Sequence, residues 1–262
     1  MDCTKESFTI LPSYEQASSD PDQFCRLQTL LTNQQNLVQE HAGRYVIQYC
    51  YPDYTTEDLD HVYDLPYSRD LSEGSFLKMA EFSVVTHRGC FGGCHFCSIA
   101  LHQGDKIISR SQQSILAEIE RLTKHPNFKG YIDDLGGPSA NMYGMDCQTS
   151  CPRACSQCKQ LDASHQQVIA LMRAARRIPG VKKVFVRSGV RFDLALNSKE
   201  YIKELSNHHI SGCLKIAPEH VSARILGLMN KRHDQLDKFI ELFGQLNCSK
   251  KQFLRYYYLI GH

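Results

Sequence analysis

Three cysteines in a glycine-rich loop constrain this chain more than any other feature of its sequence. Cys90, Cys94 and Cys97 follow a β-type run at residues 82–86 with the spacing Cys-x3-Cys-x2-Cys. The glycines of the loop let the backbone wrap tightly, because glycine adopts positive φ without steric penalty. Four thiolates would close a tetrahedral zinc site, whereas three on a [4Fe–4S] cube leave one iron without a protein ligand. The odd count therefore indicates a metal that keeps one position open for a substrate or cofactor.

Other uses of the three cysteines remain open at this point. They are a disulfide with a spare thiol, a zinc site with His95 or His102 as the fourth ligand, and buried, unligated thiols. A disulfide is disfavoured because nothing in the sequence indicates a secreted chain. The polar, glycine-rich loop also disfavours buried, unligated thiols. The pattern therefore favours an iron–sulfur cluster.

Composition sets broad limits on the class of protein. The chain has 262 residues, of which 42% are hydrophobic and 22% charged, which fits one globular α/β domain. A formal net charge of +2 gives no electrostatic case for nucleic acid as an obligate partner. No apolar run of about 18 residues and no signal-peptide pattern is present, which predicts a cytoplasmic chain with no membrane partner. The twelve cysteines concentrate at residues 90–97 and 147–158, which indicates metal sites.

Strand and helix patterns alternate from residue 82 onward. The predicted strands cover residues 82–87, 131–135, 183–188, 212–217 and 253–260, and the predicted helices begin at Ser111, Ser164, Ser198 and Leu236. Such alternation predicts right-handed βαβ units and a parallel sheet. Each conspicuous motif follows the end of a strand, where active sites of α/β barrels lie.

The first part of the chain has a weaker pattern. We predict a mixed N-terminal region at residues 1–80 and a core domain at residues 81–262. Within the first region, a helix is predicted at 22–36 and a strand at 44–50. The inward side chains expected for that helix are Phe24, Leu27, Leu30 and Leu31.

The cysteine loop resembles the signature of radical S-adenosylmethionine (SAM) enzymes, with Phe96 as the aromatic before the last cysteine. The longer string His87-Arg88-Gly89-Cys90-Phe91-Gly92-Gly93-Cys94 is similar to that of the YgiQ-type branch. Further matching strings are His102-Gln103-Gly104, Ser109-Arg110-Ser111, Asp134-Leu135-Gly136-Gly137-Pro138, Ser188-Gly189-Val190-Arg191 and Lys215-Ile216-Ala217-Pro218-Glu219-His220. The resemblance extends over roughly residues 45–262, and the first forty residues do not clearly match.

The resemblance implies a fold and a reaction. The fold is a partial (β/α) barrel of the radical SAM type, with parallel strands and crossover helices. Cys90, Cys94 and Cys97 would hold a [4Fe–4S] cluster, and SAM would bind the fourth iron. One electron, from a donor such as flavodoxin or ferredoxin, would then cleave SAM to a 5′-deoxyadenosyl radical. The sequence does not identify the substrate.

The resemblance also implies roles for single residues. Phe96 would contact adenine, and the turn at Gly136 and Gly137 would hold the methionine amino group. Pro138 stands where the family pattern usually has a glutamate, so Asp133 and Asp134 are alternative carboxylates. The hydroxyl of Ser188 suits ribose, while Arg191 and Lys215 suit the SAM carboxylate. An ordinary structural role remains open for each of these residues.

A second group of cysteines has the spacing Cys147-x3-Cys151-x3-Cys155-x2-Cys158. These four thiols can hold zinc or an auxiliary [4Fe–4S] cluster, or they can be unligated. Their loop is expected at the same barrel end as the first site.

Two other classes of protein remain alternatives to an enzyme. One is an iron–sulfur electron-transfer or scaffold protein without catalysis, and the other is a zinc-stabilised binding module. The string Leu226-x2-Met229-Asn230-Lys231 is also shared with tRNA methylthiotransferases, but their added RNA-binding domain is not visible in the sequence.

We further expect a shortened chain whose barrel is incomplete at the C-terminus. The final predicted strand has no following helix to cover it, and YgiQ-type proteins usually have longer regions on both sides. Such a chain is expected to lack independent activity and to be poorly soluble or to lose its cluster quickly.

Overall fold

The computed structural model describes residues 7–31, 35–50, 54–72, 74–147, 158, 160–231 and 235–261. The chain divides into two compact units, at Met1–Tyr54 and Thr55–His262. Residues 55–80 fall in the second unit, where helix α3 (Thr56–Asp64) packs on the helix at Gln112–Thr123. The division of the sequence at residue 80 stays a prediction.

The first unit is a three-stranded sheet with two short helices. Its elements are β1 (Phe8–Ile10), α1 (Tyr14–Ser19), α2 (Pro21–Leu30), β2 (Asn36–His41) and β3 (Arg44–Gln48). Strand β2 is central, parallel to β1 and antiparallel to β3.

The helix predicted at 22–36 is shorter than expected. Asp20 caps it, Pro21 occupies its first turn, and it ends at Leu30. The expected inward orientation is wrong for Phe24, which is 51% exposed, whereas Leu27, Leu30 and Leu31 are half-buried.

The second unit has alternating strands and helices, as predicted. Before residue 140 these are α3, β4 (Ser83–Val85), β5 (His87–Arg88), α4 (Ile99–Gln103), β6 (Ile108–Ser109), α5 (Gln112–Thr123), β7 (Tyr131–Ile132) and β8 (Asp134–Gly136). After it come α6 (Gln166–Ala175), β9 (Lys183–Val184), α7 (Phe192–Ala195), α8 (Lys199–Glu204), β10 (Cys213–Glu219), α9 (Ala223–Leu228), α10 (Leu236–Asn247) and β11 (Phe253–Tyr258). Within the described residues, every helix is too short or too polar to span a lipid bilayer.

Short parallel strand pairs form the centre of this unit. Strand β4 pairs with β8, β7 with β9, and β10 with β11, all in parallel, while β5 and β6 are antiparallel. An isolated parallel bridge joins Val190 to Ile216, and the Leu135 amide donates to the Phe185 carbonyl at 2.9 Å. The described strands form separate pairs, so these sheets do not confirm the predicted partial barrel or its C-terminal incompleteness.

Helices α5, α6, α8 and α10 bury their apolar faces against these strands. Ser111 caps α5 and Ser198 caps α8, as predicted, each through a side chain that accepts an amide hydrogen bond. The predicted cap of α6 is wrong by one residue: His165, at φ +62°, is the N-cap. Side chains at the centre of this core include Ile115, Ile119, Ile169, Met172, Val184, Ile202, Leu214 and Phe239.

A buried ionic network joins α3 and α5 to β4. The Arg110 side chain is fully buried, and its Nη1 donates to Glu118 Oε2 at 2.5 Å and to the Val85 carbonyl at 2.8 Å. Arg69 also donates to Glu118. The Arg110 guanidinium lies 4.2 Å from the ring centroid of Tyr63 on α3. Glu118 therefore compensates a cation that has no access to water.

Candidate metal centre

The cysteine loop connects β5 to α4 and turns back tightly on itself. The Cys90 amide donates to the Gly104 carbonyl at 3.0 Å, and the Cys97 amide donates to the Cys94 carbonyl at 3.0 Å. Gly89 adopts φ +84°, and a Cβ there would lie 1.7 Å from the Lys106 carbonyl oxygen. This position therefore requires glycine for both its conformation and its space.

The C-terminal turn of α9 closes the loop from the other side. The His95 amide donates to the Met229 carbonyl at 3.1 Å, and His95 Nδ1 lies 2.8 Å from the Leu228 carbonyl oxygen. Asn230 Nδ2 donates to the Gly93 carbonyl at 2.8 Å. The loop is thus held by an element far away in the sequence.

All three cysteines line one cavity of about 170 Å³. The charged residues lining it are Arg191, Asp193, Glu219 and Lys231, and Phe96 lies among the other lining residues. Among the described residues, no three Cys, His, Asp or Glu side chains converge as ligands of one ion. The three sulfurs share one cavity, as the ligands of a polynuclear cluster would.

Two ion pairs line the cavity, each formed by one cationic and one anionic side chain. Arg191 binds Asp193 through two contacts, with Nε–Oδ1 at 3.0 Å and Nη2–Oδ2 at 2.5 Å. Lys231 Nζ lies 3.2 Å from Glu219 Oε1. Burial disfavours the Asp193 carboxylate, but the hydrogen bonds and charge of Arg191 hold the pKa of Asp193 below its usual value.

The two cations lie close enough to act on the thiols. Burial raises the pKa of the Cys94 thiol, and the charges of Lys231 and Arg191 oppose that shift. A Cβ at Gly92 would lie 2.8 Å from Arg191 Nη1 and 3.3 Å from the Cys90 sulfur. The guanidinium therefore lies directly against the cysteine loop.

The cavity is not lined by Ser188 or by the alternative carboxylates Asp133 and Asp134. The Ser188 hydroxyl donates to the Asp134 carboxylate, which also accepts the Arg187 and Ser188 amides. Asp133 pairs with Arg187 at 3.2 Å. Both carboxylates proposed as alternatives at Pro138 are therefore bound elsewhere, and Ser188 does not line the cavity.

The glycine turn and Lys215 lie beside the cavity but do not line it. Gly136 and Gly137 precede Pro138 and Ser139, which are lining residues. Lys215 lies on the same face of β10 as Ala217 and Glu219, which do line the cavity. A role for these three residues in binding SAM stays a prediction.

The packing around Gly137 leaves no space for a side chain, and this yields a testable prediction. A Cβ at this position would lie 2.5 Å from the ring of His87, which is fully buried and held at Nδ1 by Thr86 Oγ1 at 2.8 Å. We expect Gly137→Ala to lower the free energy of unfolding by about 1–3 kcal/mol, because the ring cannot move away.

The matched control for that substitution is Gly189→Ala. Gly189 follows the neighbouring strand, and a Cβ there meets no atom within 4 Å. Urea denaturation of both variants measures the difference. Equal changes in the two variants would contradict the steric explanation.

The second group of cysteines falls only partly within the described structure. Cys147 and Cys158 are half-buried, and Cys151 and Cys155 lie outside the described residues. The predicted auxiliary site therefore stays a prediction.

Asp193 and Asn141 belong to no motif that marks them in the sequence, and Lys231 had no predicted role. Lys231 lies in a string already noted for its similarity to another class, but nothing in the sequence placed it near the cysteines. Asn141 hydrogen-bonds both backbone groups of Arg191, with Arg191 N to Oδ1 at 2.9 Å and Nδ2 to Arg191 O at 3.0 Å. Only the tertiary structure brings it to that strand end.

Comparisons with known proteins find similar sequences over nearly the whole chain. Residues 1–80 match the family model described as Radical SAM N-terminal. A UPF0313 protein of Methanosarcina mazei is 42% identical over 281 residues, covering 98% of this chain and 45% of the relative. A UPF0313 protein of Clostridium botulinum is 40% identical, covering 98% of this chain and 44% of the relative. The chain thus spans less than half the length of these relatives.

A solved structure with a similar fold is that of OxsB, a cobalamin-dependent S-adenosylmethionine radical enzyme with aqua-cobalamin bound. The match has a TM-score of 0.51 at 14% identity and covers 95% of this chain and 36% of OxsB. This likeness supports an α/β fold of the radical SAM type. The expectation that the first forty or so residues do not clearly match the family is wrong, because the family model matches residues 1–80 and the sequence match covers 98% of the chain.

Proposed function

Because the chain belongs to the YgiQ/UPF0313 family of radical SAM-type proteins, we propose that it binds a [4Fe–4S] cluster and cleaves SAM reductively to a 5′-deoxyadenosyl radical. The observation that carries the proposal is the cavity in which three cysteines meet two oppositely charged pairs. The chain covers 45% of the Methanosarcina mazei relative, and the activity of this chain is therefore part of the proposal.

The donor set of the cavity fits the proposed cluster. Cys90, Cys94 and Cys97 would each hold one iron, which leaves the fourth iron for SAM. When bound, the cluster supplies the electron that breaks the sulfonium bond. Arg191 and Lys231 favour the thiolate forms that ligation requires, since each places a cation beside the sulfurs.

The charged pairs suit the two charges of an amino acid group. A SAM carboxylate would accept hydrogen bonds from Arg191 or Lys231, and the SAM ammonium would donate to Glu219 or Asp193. Glu219 thereby takes the role that the family pattern gives to the glutamate replaced here by Pro138. Phe96 lines the same cavity and offers an aromatic surface for adenine.

Glu219 has the strained backbone that is common at functional sites. It adopts φ +67°, a region that residues with a Cβ rarely occupy. The Leu259 amide donates to its carbonyl at 2.8 Å, and Lys231 holds its carboxylate. These contacts fix the direction of the side chain at the cavity wall.

An electron donor such as flavodoxin or ferredoxin, and a cytoplasmic location, are part of the same proposal. The rival function is electron transfer without catalysis. An electron carrier binds no SAM and does not need two ion pairs beside its cluster, so the charged cavity favours an enzyme that binds SAM.

The proposal is tested by anaerobic reconstitution of the chain, followed by addition of SAM and dithionite. We expect SAM to perturb the EPR spectrum of the reduced cluster and 5′-deoxyadenosine to form, a result that would overturn the sequence-based expectation that this chain lacks independent activity. Arg191→Ala should weaken SAM binding about tenfold or more, since a charge-assisted hydrogen bond is lost.

Arg224→Ala is the matched control, because Arg224 is exposed on α9 and does not line the cavity. An intact cluster whose EPR spectrum does not respond to SAM would favour the electron-transfer rival. Iron and sulfide analysis separates either of these from a zinc-stabilised module.

A further inference from the structure

Asn141 holds the backbone of Arg191 by both of its polar groups. Its amide oxygen accepts the Arg191 amide at 2.9 Å, and its amide nitrogen donates to the Arg191 carbonyl at 3.0 Å. Asn141 is completely buried in the turn that follows β8. The pairing is the pattern that a neighbouring strand would make, but a side chain makes it.

His165 fixes the orientation of that amide. Its Nδ1 lies 2.7 Å from the Ala163 carbonyl oxygen, which can only accept, so Nδ1 carries the proton. Nε2 is then an acceptor and takes the second hydrogen of Asn141 Nδ2 at 3.1 Å. A flipped amide would point its oxygen at two acceptors, so only one orientation satisfies every partner.

The surroundings of His165 keep it an acceptor. Its ring stacks on Tyr201 with centroids 4.6 Å apart and planes at 23°, and burial lowers the pKa of His165 to about 4. The imidazole is therefore neutral near pH 7. The left-handed backbone of His165, at φ +62°, places the ring at the start of α6.

At the other end of this chain of hydrogen bonds lies the cysteine loop. Arg191 pairs with Asp193 through two hydrogen bonds, and its Nη1 occupies the space above Gly92. Asn141 holds the backbone of Arg191 and Asp193 holds its guanidinium, so the side chain has little conformational freedom. A backbone shift of Arg191 would therefore move the charge relative to the sulfurs.

We propose that Asn141 and His165 are positioning residues that hold Arg191 over the cysteine loop, so that its guanidinium meets the carboxylate end of SAM. This inference depends on the proposed function only in that it names SAM as the ligand of Arg191. The placement of Arg191 against the loop does not depend on SAM, so the two can be tested apart.

The first test is a double-mutant cycle on the cluster-loaded chain, with SAM affinity measured by calorimetry. Asn141→Ala should weaken SAM binding about tenfold, as a misplaced charge-assisted contact does. Combined with Arg191→Ala, it should cause no further loss, because Asn141 acts through Arg191. Independent, additive losses would overturn the proposal, as would unchanged affinity in Asn141→Ala.

The second variant series guards against a substitution that only impairs folding. His165→Ala should weaken SAM binding, and His165→Gln should restore part of it, since its amide oxygen can accept from Asn141. Tyr201→Phe is the control: it keeps the stacked ring and removes a hydroxyl that has no partner among the described residues. Equal weakening of SAM binding in His165→Ala and His165→Gln would contradict the positioning role of His165.

A third readout separates this proposal from the proposed function. The cluster potential is measured by EPR-monitored titration without SAM. Arg191→Ala and Asn141→Ala should both lower it, and the double variant should lower it no further, because a cation near the cluster favours the reduced form. If the wild-type cluster binds no SAM, the proposed function fails, but the measured potential still tests whether Asn141 positions Arg191. An unchanged potential in Asn141→Ala would overturn that positioning role.

Discussion

Replacing Cys94 by alanine should remove the visible absorbance and the iron of the reconstituted chain. The sulfur lines the cavity together with Cys90 and Cys97, and the charges of Arg191 and Lys231 act on it. A cluster that loses one of three thiolate ligands keeps only two, which is too few to retain it during purification. Cys90→Ala and Cys97→Ala should behave in the same way.

The control for this experiment is Cys248→Ala. Cys248 is exposed at the end of α10 and does not line the cavity. Each variant is made also with the four cysteines at 147–158 replaced, so that an auxiliary cluster cannot contribute. Four irons bound by the triple Ala variant in that background would show that the cluster ligands lie elsewhere.

The largest expected effect on stability comes from Glu118. Glu118→Ala leaves Arg110 buried with no opposite charge at its Nη1, and Arg69 loses the same partner. Breaking a buried ion pair from one side costs about 3–5 kcal/mol. We expect urea denaturation to show a loss of that size in the free energy of unfolding.

Glu120→Ala on the same helix is the matched control, since that side chain is exposed. Its change should remain within about 0.5 kcal/mol. If the two variants lose equal stability, the charge of Arg110 is compensated by other groups, and the network is not needed for the fold.

Local patterns in the sequence predicted those features of the fold and of the site that depend on residues close together in the chain. The apolar period of α5 and the hydroxyl at Ser111 gave both its buried face and its start. The cysteine spacing indicated a shared cavity for three side chains within eight residues. The start of α6 was predicted one residue early, because His165 adopts a left-handed conformation that residues other than glycine seldom take.

Contacts between distant segments account for the rest. Ser188 and Arg191 both follow one strand, yet Asp134 binds the hydroxyl of Ser188, and only Arg191 reaches the cavity. Asn141 and Asp193 carried no motif that would mark them. Their roles follow from the register between neighbouring strand ends, which periodicity alone does not determine.

The closing of the cysteine loop by α9 has a consequence for the order of assembly in the cell. His95 and Leu228 are 133 residues apart in the chain, and Gly93 and Asn230 are 137 apart. Translation proceeds from the N-terminus, so the three thiols leave the ribosome long before the turn that encloses them. Iron offered during that interval would meet thiols on an open strand end, exposed to oxygen and to one another. Under the proposed function, the enclosed cluster site would therefore be complete only after residues 228–230 have folded against the loop.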